Sequence, residues 1–338
     1  MRMPAEWERH EATWVAFPHH GYTLGETLDE IEAAKRTWAK VANTASEYEH
    51  VRVVVHPSDA SNASKYLSSQ IELVEFEIDD AWIRDSGPTF ALDGPELVAV
   101  DWIFNGWGAQ AWASYEQDAK LASRIANYLG VKSTASELTN EGGGIHVNGS
   151  GLVLLTKTVQ LDKGRNPGWT RDQVETELNR QLGTTEAIWL SRGLTRDYEE
   201  FGTKGHVDIV ACFAPSGEVL VHDQGDTSHP DCAISREVIE TLEGAGQSVI
   251  RLPAPKTLKD GHGWVDYSYI NHYVLNDAVL LCAFDDENDK RVADQLAEIY
   301  PGRKIELIDA RELFARGGGI HYITQQQPAL PAEYSSSP

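Results

Sequence analysis

The sequence predicts an α/β fold built from five similar units that send polar loops to one centre. Short β-branched runs alternate with amphipathic helical patterns along the whole chain. The pentapeptide Gly142-Gly143-Gly144-Ile145-His146 recurs as Gly317-Gly318-Gly319-Ile320-His321. Polar markers in Gly-bearing clusters, namely Asp85, Glu141, His206, Asp266 and Tyr322, are spaced 56, 65, 60 and 56 residues apart. That is the step of a repeated supersecondary unit. Chance is the competing explanation for hand-picked markers, but it accounts poorly for the repeated pentapeptide.

Taken in order, strands are expected at 51–55, 71–76, 97–101, 152–155, 209–213, 218–221, 248–252, 278–282 and 304–308, mostly β-branched runs of four to six residues. Thr27 and Glu30 have capping-box spacing and open a helix with Ile31, Ala34, Trp38 and Val41 on one face. Leu121, Ile125 and Tyr128 share the face of a second, stopped by Gly130. Thr170 and Gln173 open a third, carrying Val174, Leu178 and Leu182 up to Gly183. Two more are expected near 235–242 and 289–299. No linker or charge block interrupts the pattern, so residues 1–330 read as one domain followed by a polar tail, 331–338.

Composition narrows the function. Hydrophobic residues make up 41% and charged residues 24%, the proportions of a globular protein. No apolar run reaches the roughly 18 residues of a membrane span, and the first residues show no secretory h-region. The net charge of −23 disfavours nucleic acid and anionic lipid and favours a cationic small molecule. A solubility adaptation explains the same charge at least equally well. Cys212, Cys232 and Cys282 lack zinc or redox spacing. Cys212 and Cys282 lie in apolar runs and read as core thiols, which fits a reducing cytoplasm. The ten tryptophans are mostly core, although exposed ones would mark a homodimer face.

The polar markers suit a flat cation. Carboxylates beside glycines let backbone approach a ligand closely and match the fork of a guanidinium. His206, flanked by Glu141 or Asp208, is placed to move protons near neutral pH. Any one of these residues alone is more easily a surface turn or salt bridge; together they point to a site. His206, Asp208, His146 and Glu141 also offer metal-ligand chemistry, but no metalloenzyme spacing accompanies them, so no metal and no cofactor is expected. The glycine runs fit neither G-x-G-x-x-G nor a P-loop.

Longer segments carry a resemblance. MPAEWERHEATWVAFPH, WIRDSGPTF, WIFNGWG, EGGGIHVNGSG, RNP, GHVDIVACF, SYINHYV and GGGIHYITQQQP follow one another from Met3 to Pro328. In this order they resemble the agmatine deiminase (agmatine iminohydrolase) family, close to the bacterial-type peptidyl-arginine deiminases. The resemblance implies the pentein fold, a five-bladed α/β propeller with pseudo-fivefold symmetry. It implies a small cationic guanidino substrate such as agmatine, hydrolysed to N-carbamoylputrescine and ammonia without metal or cofactor. It implies Asp85 and Asp208 as guanidinium ligands, His206 paired with Glu141 as general acid/base, Trp82 as an apolar wall, and Gly318 and Gly319 beside the substrate.

The family's nucleophile is a cysteine at the position that here is Tyr322. A thiol ionises near 8.5 and a phenol near 10, and the ring occupies space meant for substrate. Three expectations follow: an impaired deiminase, a different guanidine or amidine chemistry using Tyr322, or a non-catalytic guanidino-compound binder. Smaller departures are Phe17 for tryptophan, Asn148 for aspartate and Ile103 for arginine. They are expected to retune the amine-binding end of the pocket.

Overall fold

A computed structural model describes residues 1–331; the tail expected at 331–338 lies, from residue 332, outside the described residues. Strand β1 (His10–Ala16) runs parallel to β2 (Val51–Val55), which runs parallel to β3 (Glu72–Glu75). Four blades follow with one pattern: an antiparallel pair, a helix, and a third strand parallel to the second. They are β4 (Thr89–Asp93), β5 (Glu96–Ile103) and β6 (Lys132–Thr139), then β7 (Ile145–Val147), β8 (Leu152–Thr156) and β9 (Glu186–Leu190). Next come β10 (Ala211–Phe213), β11 (Val219–Asp223) and β12 (Val249–Pro253). A hairpin of β13 (Lys259–Asp260) and β14 (Gly263–Trp264) precedes the last of the four: β15 (Tyr273–Val274), β16 (Ala278–Ala283) and β17 (Lys304–Asp309). Finally β18 (Thr324–Pro328) returns to pair antiparallel with β1, Val15 opposite Thr324, and completes the first blade.

The five blade helices sit where the periodicity places them: Leu28–Ala45, Leu121–Leu129, Arg171–Leu182, Asp231–Gly244 and Asn288–Ile299. Both capping boxes form: the Thr27 hydroxyl accepts from Glu30 N–H and the Thr170 hydroxyl from Gln173 N–H, with each acceptor returned by the N3 side chain. Gly130 and Gly183 close their helices in the left-handed region, at φ 65° and 71°. Ala34, Trp38 and Val41 are fully buried and Ile31 is half-buried, so that helix seats most of the face the sequence marks.

Two expectations change. Tyr128 does not join Leu121 and Ile125 inside; it is 47% exposed and stands edge-on to Trp14 and Phe76. The strand expected at 209–213 begins at Ala211, because Val207–Ile209 is a 3₁₀ turn that directs Asp208 inward. No tryptophan is among the exposed large hydrophobics of the described residues. Ile103 is half exposed, Asn148 accepts two backbone N–H groups of its own turn, and Phe17 is core. Among the described residues no helix is long and apolar enough to cross a membrane.

Candidate active site

Four short connections at one end of the blades bring the polar side chains together. Asp85 sits on the single-turn helix Ile83–Ser86, Glu141 precedes the 3₁₀ turn Gly142–Gly144, His206 precedes Val207–Ile209, and Tyr322 lies in His321–Ile323. Gly143 explains why glycine is needed: a Cβ there would fall 2.4 Å from His206 Nδ1 and 3.0 Å from Asp208 Oδ2. The imidazole and the carboxylate both occupy the space a side chain would fill. The His206 loop is held by Asp197, whose carboxylate accepts from the N–H groups of Thr203 (2.6 Å), Gly205 (2.6 Å) and His206 (3.1 Å).

His206 Nε2–H donates to Glu141 Oε2 at 3.1 Å, and Nδ1 lies 3.9 Å from Asp85 Oδ1. The partner of His206 is therefore Glu141 and not Asp208, whose Oδ2 instead accepts from His321 Nδ1 at 2.7 Å. Glu141 is itself fixed by Arg165, whose Nε–H contacts its two oxygens at 2.9 and 3.0 Å. Asp85 accepts from Trp107 Nε1–H at 2.9 Å and from Gly143 N–H at 3.1 Å. His146, the other histidine of the metal reading, accepts from Phe213 N–H on β10 and is not bonded to this group.

Charge follows from burial and neighbours. Burial raises Asp85, to about 6, with Glu141 and Asp208 adding to the shift against His206. Burial works against the charged His206, yet Asp85 and the Glu141 bond win and lift it to about 9. Burial would raise Glu141, but the Arg165 guanidinium and His206 bring it down to about 2. At neutral pH the centre is an imidazolium held between carboxylates.

Tyr322 is 1% exposed and closes over this group. Its ring lies parallel to the His206 imidazole, centroids 5.5 Å apart and 10° between planes, and edge-on to Trp82 at 6.2 Å. A Cβ on Gly318 would meet Tyr322 Cγ at 2.6 Å, so Gly318 lies directly against the ring. Gly319 faces Asn271 and Phe314 instead. Burial drives the phenol well above 10. Three buried polar atoms of the group have no hydrogen-bond partner: His206 Nδ1, Asp208 Oδ1 and the Tyr322 hydroxyl. All three cysteines are buried; burial raises Cys212 far above its usual range and pushes Cys282 up to about 12.

Asp85, Glu141, His206, Asp208, Tyr322, Trp82 and Gly318 are thus brought together, while Asp266 stands apart on the loop after β14. Sequence reasoning missed Arg165, Trp107, Asp197, His321 and Glu6, the last accepting from His321 Nε2 at 2.8 Å. The signal for Arg165 and Trp107 was present in the RNP and WIFNGWG segments, without a partner to define their roles.

Five repeated blades closed by β18, with a buried imidazole between carboxylates at one end, define an α/β propeller of the pentein class. The sequence profile of the Porphyromonas-type peptidyl-arginine deiminases matches residues 2–328, and the chain belongs to that family. It is 52% identical to a Streptomyces avermitilis protein named "Putative agmatine deiminase", over 97% of both chains. It is 34% identical to the agmatine deiminase of Ectopseudomonas mendocina, over 97% of this chain and 95% of that one. The solved agmatine deiminase of Enterococcus faecalis superposes with a TM-score of 0.89 at 30% identity, covering 98% of this chain and 96% of that one.

Proposed function

We propose that this chain carries an agmatine deiminase-type hydrolytic site acting on the guanidinium of agmatine or a closely related guanidino compound. The observation that carries it is a buried, partnerless carboxylate oxygen, Asp208 Oδ1, with the Asp85 carboxylate alongside, 3.9 Å from the His206 ring. Desolvated carboxylates lacking a partner cost free energy unless a cation arrives, and a guanidinium supplies both charge and donors. The names of the relatives support the same substrate.

In the overall reaction, water oxygen bonds to the guanidinium carbon, one C–N bond breaks, and the departing nitrogen leaves as ammonia that takes up a proton. Asp85 and Asp208 hold the guanidinium nitrogens. His206, charged at neutral pH, is the proton donor to the departing nitrogen, and Glu141, fixed by Arg165, orients it. Trp82 walls the planar carbon. Buried free thiols support a reducing cytoplasm as the compartment.

A second reading, a guanidino-compound binder without turnover, is favoured by one observation: the buried Tyr322 phenol, far from ionised, holds the nucleophile position. Ammonia release from agmatine, arginine, methylguanidine and guanidinobutyrate, with calorimetric binding, separates the two. Release from agmatine by the unaltered chain supports hydrolysis. Binding alone, with release appearing in Tyr322→Cys, supports the binder. Neither binding nor release in either protein overturns both.

A further inference from the structure

Glu6 enters the middle of the ring from the segment ahead of β1 and is buried there. Its Oε1 accepts from Val274 N–H on β15 at 2.9 Å, and its Oε2 lies 2.8 Å from His321 Nε2. The other ring nitrogen, Nδ1, lies 2.7 Å from Asp208 Oδ2. A carboxylate only accepts, so both ring nitrogens carry protons and His321 is an imidazolium between two carboxylates. Burial and Arg84 oppose that charge; Glu6 and the bonds to Asp208 and Glu6 outweigh them and raise the imidazole above its usual range. Burial lowers the neighbouring His146, to about 3, and lowers His272, so neither competes for the proton at pH 7. Tyr273, whose ring faces His321 at 6.5 Å, is kept un-ionised by burial.

The backbones at the two ends are fixed independently of this imidazole. Asn271 donates through Nδ2 to the Asp208 carbonyl at 3.0 Å, and its Oδ1 accepts from His321 N–H at 3.1 Å. The Asp208 carboxylate is held differently. Its Oδ1 has no partner, so among the described residues the His321 bond alone sets the orientation of the group. Glu6 stands on the side of the imidazole away from Asp208. The two cavities that Glu6 lines with His146 and His321 are about 10 Å³ each. That is room for one water molecule and not for a guanidinium. Any influence of Glu6 on a ligand therefore runs through the ring.

We infer that His321 and Glu6 are positioning residues for the guanidinium ligand: Glu6 orients the imidazole, and the imidazole turns Asp208 so that its free oxygen meets the ligand. The inference rests on the guanidinium reading above and deepens it. Neither residue touches substrate or a reacting atom. A carboxylate already locked in one orientation loses little freedom when the ligand arrives, which is what preorganisation contributes to affinity. The site is thereby spread over three distant parts of the chain: the segment ahead of β1, the turn before β10 and the turn before β18.

Two amide substitutions separate positioning from mere support. The amide nitrogen of asparagine falls where the histidine Nδ1 lies, and that of glutamine where Nε2 lies. His321→Asn therefore keeps the donor to Asp208 and gives up Glu6, while His321→Gln does the reverse. In calorimetry of the full chain with agmatine and methylguanidine, His321→Asn is expected to bind within about threefold of the unaltered protein and His321→Gln roughly tenfold or more weakly. Thermal midpoints are expected to fall in both. Equal weakening of binding in the two variants, in step with lost stability, overturns the inference. Nuclear magnetic resonance reads the chain without ligand. Both His321 ring nitrogens are expected to be protonated at pH 7 in the unaltered protein, and the Asp208 carboxylate carbon is expected to shift in Glu6→Gln, whose changed atoms touch His321 and not Asp208. A neutral ring in the unaltered protein, or an unmoved Asp208 signal, overturns the inference even where guanidines bind. An unaltered chain that binds neither guanidine sinks the guanidinium reading, and the two resonance readings then decide whether Glu6 and His321 set Asp208.

Discussion

His321 Nδ1–H donates to Asp208 Oδ2 at 2.7 Å, which commits one oxygen of that carboxylate and leaves Oδ1 without a partner. The other ring nitrogen is 2.8 Å from Glu6 Oε2, so one buried imidazole supports two carboxylates. Replacing it, as in His321→Leu, strands Asp208 and leaves Glu6 only Val274 N–H and the more distant Arg84. Stability is expected to fall by roughly 3–5 kcal/mol in urea unfolding, the cost of breaking a buried charged pair. Guanidine affinity is expected to fall with it; a loss below 1 kcal/mol would contradict the pairing.

Arg165 and Glu141 form the second buried pair, both side chains fully shielded. Arg165→Met is expected to destabilise by roughly 3 kcal/mol or more, and Arg165→Met with Glu141→Gln by clearly less, because the double variant removes the Glu141 charge that the single variant leaves without its guanidinium. A double-mutant cycle with zero coupling would show that the contact carries no energy.

Stability is expected to decline as pH rises from 6.5 to 9. His206 titrates near 6.5 when unfolded and about 9 in the folded protein, so the folded state holds the extra proton across that window. The stabilisation is complete below 6.5 and gone above 9, roughly 3 kcal/mol at most. Glu141 acts at the other end: held down to about 2, it stabilises above 4.5 and loses that contribution as pH falls through 2. Denaturant midpoints at pH 6 and 9 check the first window; His206→Gln should flatten it.

Gly318→Ala is expected to destabilise by roughly 1–3 kcal/mol, since its Cβ would stand 2.6 Å from Tyr322 Cγ. In a Tyr322→Ala background most of that loss should vanish, because the Cγ and Cδ2 atoms that clash are gone and only Cβ, at 3.0 Å, remains. Thermal unfolding of the four proteins reads the difference directly. An equal loss in both backgrounds would place the strain elsewhere than the ring.

The blade helices were legible because their signals are local: Thr27 and Glu30, or Thr170 and Gln173, are three residues apart and bond each other. Strands such as Thr324–Pro328 and Lys132–Thr139 were not, because their polar residues hide the alternation of a buried strand. At the site, Asp85, Glu141, His206 and Asp208 announced themselves through neighbouring glycines. Arg165 and His321 did not, since each is defined by a partner over 20 residues away that sequence spacing does not reveal. Asp266 was singled out as a regular step of the repeat, and the structure places it one cleft away from the centre.

The pairing of β18 with β1 joins strands more than 300 residues apart, and Tyr322 stands just ahead of that closing strand. Shutting the ring and setting Tyr322 in place therefore both depend on residues synthesised long after β1. A chain still emerging from the ribosome holds β1 with an open edge and offers no completed binding pocket.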